Sequence, residues 1–522
     1  MTAGAAGGRA ARAAPWGAAA AVLAVLALTA GAAMPVGVFY DDGIYVDLAR
    51  ALASGAGYHH LALPGAPAGI HYPPLYPAWL ALWNALRPPV GAAGVIAWLK
   101  GGNALLAAAS VVPWARWGAR RLAMPAWLAA VAAAVAVLLV PARAVTSTLF
   151  SEPLAWFLLG CALDLADEGE QAPAPSLRRA VAMAALAALL PLLRTILLPV
   201  TAAVGWRLAS ETARPVALRQ REAMFAAFMM LPTVAWFAWT ARHAHDIPVA
   251  WMGSYGSYLA MWRESVSGPS DLAALAGHQV LGLWRTARQL WGSAGAVAGL
   301  AAIAAGLWRL RGWRSVAWLG TLGYFAIVLV WPIEPDRFLW GVLPLLALLM
   351  AGGIMAGCAW VRGRHPARLA VLVLIAALPL YSCTRLNAHG YRARGWIVPQ
   401  ERETAAYAPV VAWAATLPRD AVILTANDPL VAQATGLRAA PLLAPDLRET
   451  RGAPPLRPAP VRAAMSACAA GAGWMVVIDT LDEAGAAIAA LRADTTTGIR
   501  FGETVHLDGA RAAVQFRCTP TR

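Results

Sequence analysis

Charge is scarce in this chain: 13% of its residues are Asp, Glu, Lys or Arg, against 60% hydrophobic, with a mean hydropathy of +0.57. That shortage excludes an ordinary soluble globule and points to a polytopic membrane protein. Acids are scarcer than bases, 27 against 42, leaving a net charge of +15. In a soluble protein that balance would suggest nucleic acid, but here the arginines sit in short gaps between apolar runs, where orientation signals belong, so nucleic acid is excluded as a partner. Cysteine is also rare. The five residues have no metal-ligand spacing; Cys161 and Cys358 lie in apolar runs as inert packing residues. Cys468 and Cys518 fall in a carboxyl-terminal portion where, if it lies outside, a disulfide is permitted. No Gly-x-Gly-x-x-Gly occurs, so no nucleotide is assigned. Internal repeats and charges near the middle of spans are lacking too, which counts against a transporter or flippase of a lipid-linked sugar.

What is present is a succession of apolar runs near residues 16–38, 92–114, 122–141, 153–166, 180–193, 195–206, 223–241, 293–308, 315–331, 338–360 and 369–383, about eleven spans. The first follows Arg9 and Arg12, is long for a signal-peptide core and reads as a retained anchor. With residues 1–15 inside, the clusters Arg116/Arg120/Arg121, Arg178/Arg179, Arg207/Arg214/Arg219/Arg221, Arg309/Arg311/Arg314 and Arg362/Arg364/Arg368 all fall inside on one condition: the run Pro73 to Leu86 must not cross. It is too short to span and opens on Pro73-Pro74, so Leu75 to Leu86 reads as an interfacial or re-entrant helix. The outer segments are then 39–91, 141–152, 193–195, 242–292, 332–337 and everything after about 385. The aromatic-rich segment 242–292, with Trp251, Tyr255, Tyr258, Trp262, Trp284 and Trp291, reads as resting on the membrane surface, or as a sugar-stacking platform.

Directly after the first span comes Phe39 to Gly55. Ile44, Leu48, Ala51 and Leu52 share one helical face, while Asp47, Arg50 and Ser54 share the other, so the helix should lie on the bilayer surface with Asp41 and Asp42 at its start. Residues 391–522 change character. A helix at 401–417, strands at 421–425 and 474–479, a helix at 482–492 and a hairpin around Asp508-Gly509 predict a small α/β domain.

Asp41-Asp42, His71-Tyr-Pro-Pro-Leu-Tyr-Pro77, Ser151-Glu152-Pro153-Leu154, Glu334-Pro-Asp-Arg337-Phe with Pro344, and Thr435-Gly436-Leu437-Arg438 together resemble the GT-C glycosyltransferases, in particular bacterial relatives of protein O-mannosyltransferases and of the lipid A aminoarabinose transferase. The resemblance implies a membrane domain over 16–390 with an extracytoplasmic α/β domain over 391–522, set in a bacterial cytoplasmic membrane among its lipids. It implies transfer of a sugar from a polyprenyl-phosphate carrier to an outer acceptor, with inversion. Carried over by motif, Asp41 is the candidate base and Asp42 a second base or orienter; both could instead cap the following helix. Arg337 and Arg194, with Tyr72, are candidates for the carrier phosphate, although an interfacial arginine also snorkels to water. Glu152 is either functional or a cap. His71, Tyr45 and Tyr76 are candidate substrate contacts, and His71-Tyr72 replaces a glutamate-lysine pair found in some relatives. His71, Asp41, Asp42 and Glu152 could hold a divalent cation, but nothing has ligand spacing, so no metal is assigned. A membrane-anchored binding protein, with recognition in the carboxyl-terminal domain, is the remaining alternative.

Overall fold

The apolar runs become helices whose charged ends sort to two opposite ends of a bundle. The computed structural model describes residues 3–30, 35–88, 91–167, 176–210, 224–361, 366–442, 473–478, 499–508 and 511–518. At one end Arg116 and Arg120 pair with Asp164, and Arg121 pairs with Asp167. Ser315 also donates to Asp167, Arg179 to the Leu165 carbonyl and Arg314 to that of Ser210. At the other end Arg143 donates to Thr29, Asn387 accepts from the Val140 N–H and Gln400 donates to Ser147. Arg194 pairs there with Glu152, and Arg337 with Asp41. The loops that the arginine pattern assigned to one side therefore meet one another. Arg214, Arg219, Arg221, Arg362 and Arg364 lie outside the described residues.

Among the described residues four helices are long and apolar enough to cross a membrane: Gly94–Arg121, Met224–Arg242, Pro269–Trp308 and Leu343–Trp360. Ala126–Leu138 and Val140–Ser147 form a pair bent by 62° that makes a fifth candidate. The runs at 153–166 and 180–193 are helices of 15 and 17 residues, Glu152–Ala166 and Leu177–Leu193. At 1.5 Å per residue they reach about 23 and 26 Å, short of a bilayer core of about 30 Å.

Leu75–Ala85 is an 11-residue helix packed on Asp41–Ala53. Trp83 and Trp98 clasp it to the next helix: each indole N–H donates to the other's carbonyl at 2.9 Å, with rings stacked 4.8 Å apart.

Two expectations are corrected here. Asp41–Ala53 does not lie free on a surface with its polar face in water. Asp47 is buried, accepts from the Ala62 N–H at 3.0 Å and lies 3.6 Å from His60, because the 57–72 loop folds back over that face. The 242–292 segment is not one surface loop either. Its second half, with Trp284 and Trp291, is helical from Pro269 to a break at Gly292, whose φ of 67° and ψ of 173° are not helical, and a second helix continues to Trp308; Trp251 and Tyr255 are buried.

The carboxyl-terminal part holds a five-stranded sheet in the order β2-β1-β3-β5-β4, built from β1 Val422–Thr425, β2 Arg438–Pro441, β3 Gly473–Ile478, β4 Ile499–His506 and β5 Arg511–Cys518. β1 runs parallel to β2 and β3, while β5 is antiparallel to β3 and β4. The helix Val398–Ala414 precedes it. The expected helix at 482–492 and the Cys468–Cys518 pairing fall outside what is described.

Candidate functional site

The chain leaves the first helix and turns into Asp41 through a constrained corner. Tyr40 has φ 65° and ψ −71°, and the Asp41 N–H donates to the Phe39 carbonyl at 2.7 Å. This is a γ-turn of the rare positive-φ kind, a strained conformation that surrounding packing has to hold. Neither acid caps the helix that follows. Asp42 reaches backward and accepts from the Gly37 and Phe39 N–H groups at 3.0 and 3.1 Å, which fixes the loop. Burial pushes its carboxyl up to about 6 against those two donors, and Lys100 also favours its charge. Asp41 points the other way, into a cavity.

That cavity has a volume of about 440 Å³ and brings together segments from across the chain. Its polar lining includes Tyr40, Asp41, Tyr45, His71, Tyr72, Arg194, Tyr258 and Arg337. Phe237, Leu259, Ile327, Val330 and Ile333 supply apolar wall. The Arg337 guanidinium lies 2.5 Å from the Asp41 carboxylate and 4.7 Å over the Phe150 ring. Its short helix, Asp336–Trp340, is pinned from two sides: the Tyr324 hydroxyl donates to the Phe338 carbonyl at 2.5 Å and the Trp156 indole to that of Trp340 at 2.8 Å.

Arg194 sits where Leu177–Leu193 ends and the chain turns through Thr195–Leu197 into Leu198–Ala209. Its guanidinium pairs with Glu152 and reaches Ser151 Oγ at 3.4 Å. Glu152 is fully buried and does not line the cavity. Its carboxylate is engaged with Arg194 behind the cavity lining. The capping alternative is unused, since Ser151 makes no side-chain cap and the Glu152 side chain is spent on the arginine.

Tyr76 likewise stands behind the cavity wall. Its ring meets Tyr45 edge-on at 4.8 Å, and its hydroxyl donates to Asn103 at 3.1 Å. Asn103 in turn donates to the carbonyls of Thr148 and Phe150 at 3.0 Å, holding the loop that carries Phe150 and Glu152. Tyr45 reaches Ser151 at 3.5 Å, and its ring meets that of Tyr72 at 4.8 Å.

His71 is held by its Nδ1, 2.6 Å from the Gly256 carbonyl. A carbonyl only accepts, so Nδ1 carries the proton and Nε2 of the neutral ring is left as an acceptor. Burial brings this imidazole down to about 4, against the Gly256 carbonyl and the Asp41 carboxylate, both of which favour its charge. Tyr72 and Tyr258 each pack on the ring at 4.5 Å.

Among the described residues no group of three His, Cys, Asp or Glu side chains is placed to hold a metal ion. The resemblance gave no weight to Asn103, or to Asp47 and His60 packed beneath the site. Tyr258 belonged to the aromatic segment, but nothing in its spacing separated a cavity wall from a membrane-facing ring.

No family model matches the chain, and no curated protein matches it. Solved structures do. ArnT from Cupriavidus metallidurans in the apo state is 14% identical, with 95% of this chain and 97% of that chain covered at a TM-score of 0.53. The same protein bound to undecaprenyl phosphate is 14% identical over the same shares at 0.51. The archaeal oligosaccharyltransferase AglB from Archaeoglobus fulgidus, in complex with an inhibitory peptide and a dolichol-phosphate, is 11% identical at 0.49, with 88% and 69% covered. The motifs resembled the GT-C glycosyltransferases, and the ArnT likeness shows that fold along nearly the whole chain.

Proposed function

We propose that the chain is a membrane glycosyltransferase that takes a sugar from a polyprenyl-phosphate carrier and passes it to a hydroxyl or other nucleophile on an extracytoplasmic acceptor. The observation that carries this reading is the cavity whose lining brings Asp41, Arg337 and Arg194 together with apolar residues such as Phe237, Leu259, Ile327 and Val330. A lipid phosphate calls for both: guanidiniums for its headgroup and apolar surface for its hydrocarbon chain. ArnT, whose fold is shared, is known bound to undecaprenyl phosphate.

The chemistry follows from the charges. A sugar phosphodiester carries one negative charge, and the phosphomonoester released when its anomeric C–O bond breaks carries more. Arg337 and Arg194 would stabilise that added charge as it develops, and such electrostatic help is usually a large share of catalysis. Asp41 would accept the proton from the acceptor hydroxyl as its oxygen forms the new bond to the anomeric carbon. A single displacement inverts that carbon, and no second, covalent carboxylate is needed.

In the structure Arg337 is engaged by Asp41. An arriving phosphate competes for that guanidinium, so carrier binding would itself release the base. The arginine-rich end of the bundle is assigned to the cytosol and the cavity end, with the carboxyl-terminal domain, to the outer side. The test is purified protein with a polyprenyl-phosphate sugar and envelope lipid or glycan acceptors: sugar transfer that depends on the carrier supports the reading, and its absence across acceptors and sugars removes it.

A further inference from the structure

The helix Asp428–Thr435 of the carboxyl-terminal domain packs on the loop and helix that carry Asp41. The approach is backbone to backbone. Gly37 has φ 97°, and a Cβ there would fall 2.5 Å from Leu430 Cα; a Cβ on Gly43 would lie 2.6 Å from that of Pro429. Gln433 donates to the Gly43 carbonyl at 3.0 Å and Asn427 to that of Val38 at 3.5 Å. Between these two anchored glycines lies the strained corner at Tyr40 that aims Asp41.

Asp428 opens this helix and is 1% exposed. The Tyr255 hydroxyl donates to its Oδ2 at 2.5 Å, and the Tyr40 hydroxyl also acts on this carboxyl. Tyr255 precedes Gly256, the residue that holds His71, in the segment whose Gly253, Ser254 and Tyr258 line the cavity.

We propose that Asp428 is a positioning residue for transfer: through Tyr255 it fixes the 252–258 wall of the cavity, and through its own helix it holds the strained corner that aims Asp41. The outer domain is then a working part of the site and not an appendage. This rests on the transfer reading above.

The groups facing the Asp428 carboxyl are Tyr40, Asp47 and His60 from the first outer loop, Tyr255 from the 252–255 turn and Tyr407 from Val398–Ala414. None is an arginine or lysine, and Asp47 adds like charge. Burial pushes the Asp428 carboxyl up to about 7. The Tyr255 and Tyr40 hydroxyls oppose that rise by favouring the charged form, so the contact with Tyr255 persists in both protonation states.

Asp428→Ala, Asp428→Asn and Tyr255→Phe in the full chain test this. Asp428→Ala is expected to lower kcat about tenfold or more with KM for the carrier within about twofold, the signature of misaligned groups and not of lost binding. Asp428→Asn, which keeps an acceptor oxygen for Tyr255 without the charge, should restore kcat. Amide exchange over 37–43 and 252–258 should quicken in Asp428→Ala and Tyr255→Phe and not in Asp428→Asn, and that readout needs no turnover, so it stands even where the transfer reading fails. Should Asp428→Ala not fold, Tyr255→Phe carries the same comparison. Unchanged exchange, an unchanged kcat in the folded variants, or an Asn variant as impaired as Ala would each overturn the proposal.

Discussion

The Arg337 guanidinium meets the Asp41 carboxylate at 2.5 Å across a sequence separation of 296 positions. Two opposite charges gathered this far into a partly enclosed site are costly to desolvate, and their mutual attraction offsets that cost only while both are present. The pair therefore sets the resting state of the cavity: a ligand that takes one partner competes with the other for it.

Removing the guanidinium should accordingly cost carrier binding directly. Charge-assisted hydrogen bonds contribute about 1.5–3 kcal/mol, so Arg337→Ala should weaken the affinity for polyprenyl phosphate roughly 10- to 150-fold. Tryptophan quenching or calorimetry with the free lipid phosphate measures it. Wild-type affinity in that variant would take Arg337 out of the phosphate site.

Glu152 and Arg194 should behave as one unit. Glu152 is fully buried, so Glu152→Ala leaves the Arg194 charge without its partner and should destabilise the fold by about 3–5 kcal/mol. Glu152→Gln, which keeps the shape and a hydrogen-bond acceptor, should cost less. Thermal unfolding of the two variants in detergent gives the comparison, and equal midpoints for both and for wild type would contradict the pairing.

His71 predicts a pH dependence of known sign. Its folded value of about 4 lies below the ordinary 6.5, so between those limits the unfolded chain takes up a proton that the folded chain refuses. The stability from keeping it neutral is complete above about 6.5 and is lost as pH falls toward 4, by up to about 3 kcal/mol at 1.36 kcal/mol per unit. Asp42 and Asp428 act in the opposite sense, since their raised values favour the folded state at low pH and cost stability as pH rises toward about 6 and about 7. The informative quantity is the difference between wild type and His71→Phe: it should shrink as pH drops from 7 to 4.5. A difference independent of pH would mean that the imidazole is not held neutral.

Orientation can be read in intact cells. Single cysteines placed at Pro88 and Asp336 should react with an impermeant thiol reagent, and one at Arg311 should react only after the membrane is opened. All three positions are exposed in the structure. Labelling of Arg311→Cys alone from outside would invert the assignment.

Much of the site was legible because its ingredients follow rules that act locally. Arginines collect in the gaps on one side of a membrane, so following them from gap to gap placed the Asp41, Glu152, Arg194 and Arg337 loops at the same end, and the contacts among those loops agree. What was not legible needed long-range packing. Helical periodicity gave Asp47 to the solvent face because a polar residue normally goes there, but the 57–72 loop covers it. Buried rings and membrane-interface rings have the same composition, which is why Trp251 and Tyr255 read as surface aromatics. The division at 292 coincides with the non-helical Gly292 that separates two helices within Pro269–Trp308; what was not legible is that the stretch from Pro269 to Gly292 is itself helical, because Arg285, Arg288 and Gln289 interrupt its apolar pattern. Asn427-Asp428-Pro429 reads simply as a helix start, and nothing nearby announces that the Asp428 carboxyl serves a tyrosine 173 positions away.

The most direct test of the account is Asp41→Asn in purified protein, assayed with a polyprenyl-phosphate sugar for kcat and, separately, for carrier affinity. A general base contributes about 10²- to 10⁴-fold, so turnover should fall by that much. Carrier affinity should hold or tighten, because Arg337 no longer has a carboxylate to release. Turnover within a few-fold of wild type in that variant would contradict the account at its centre.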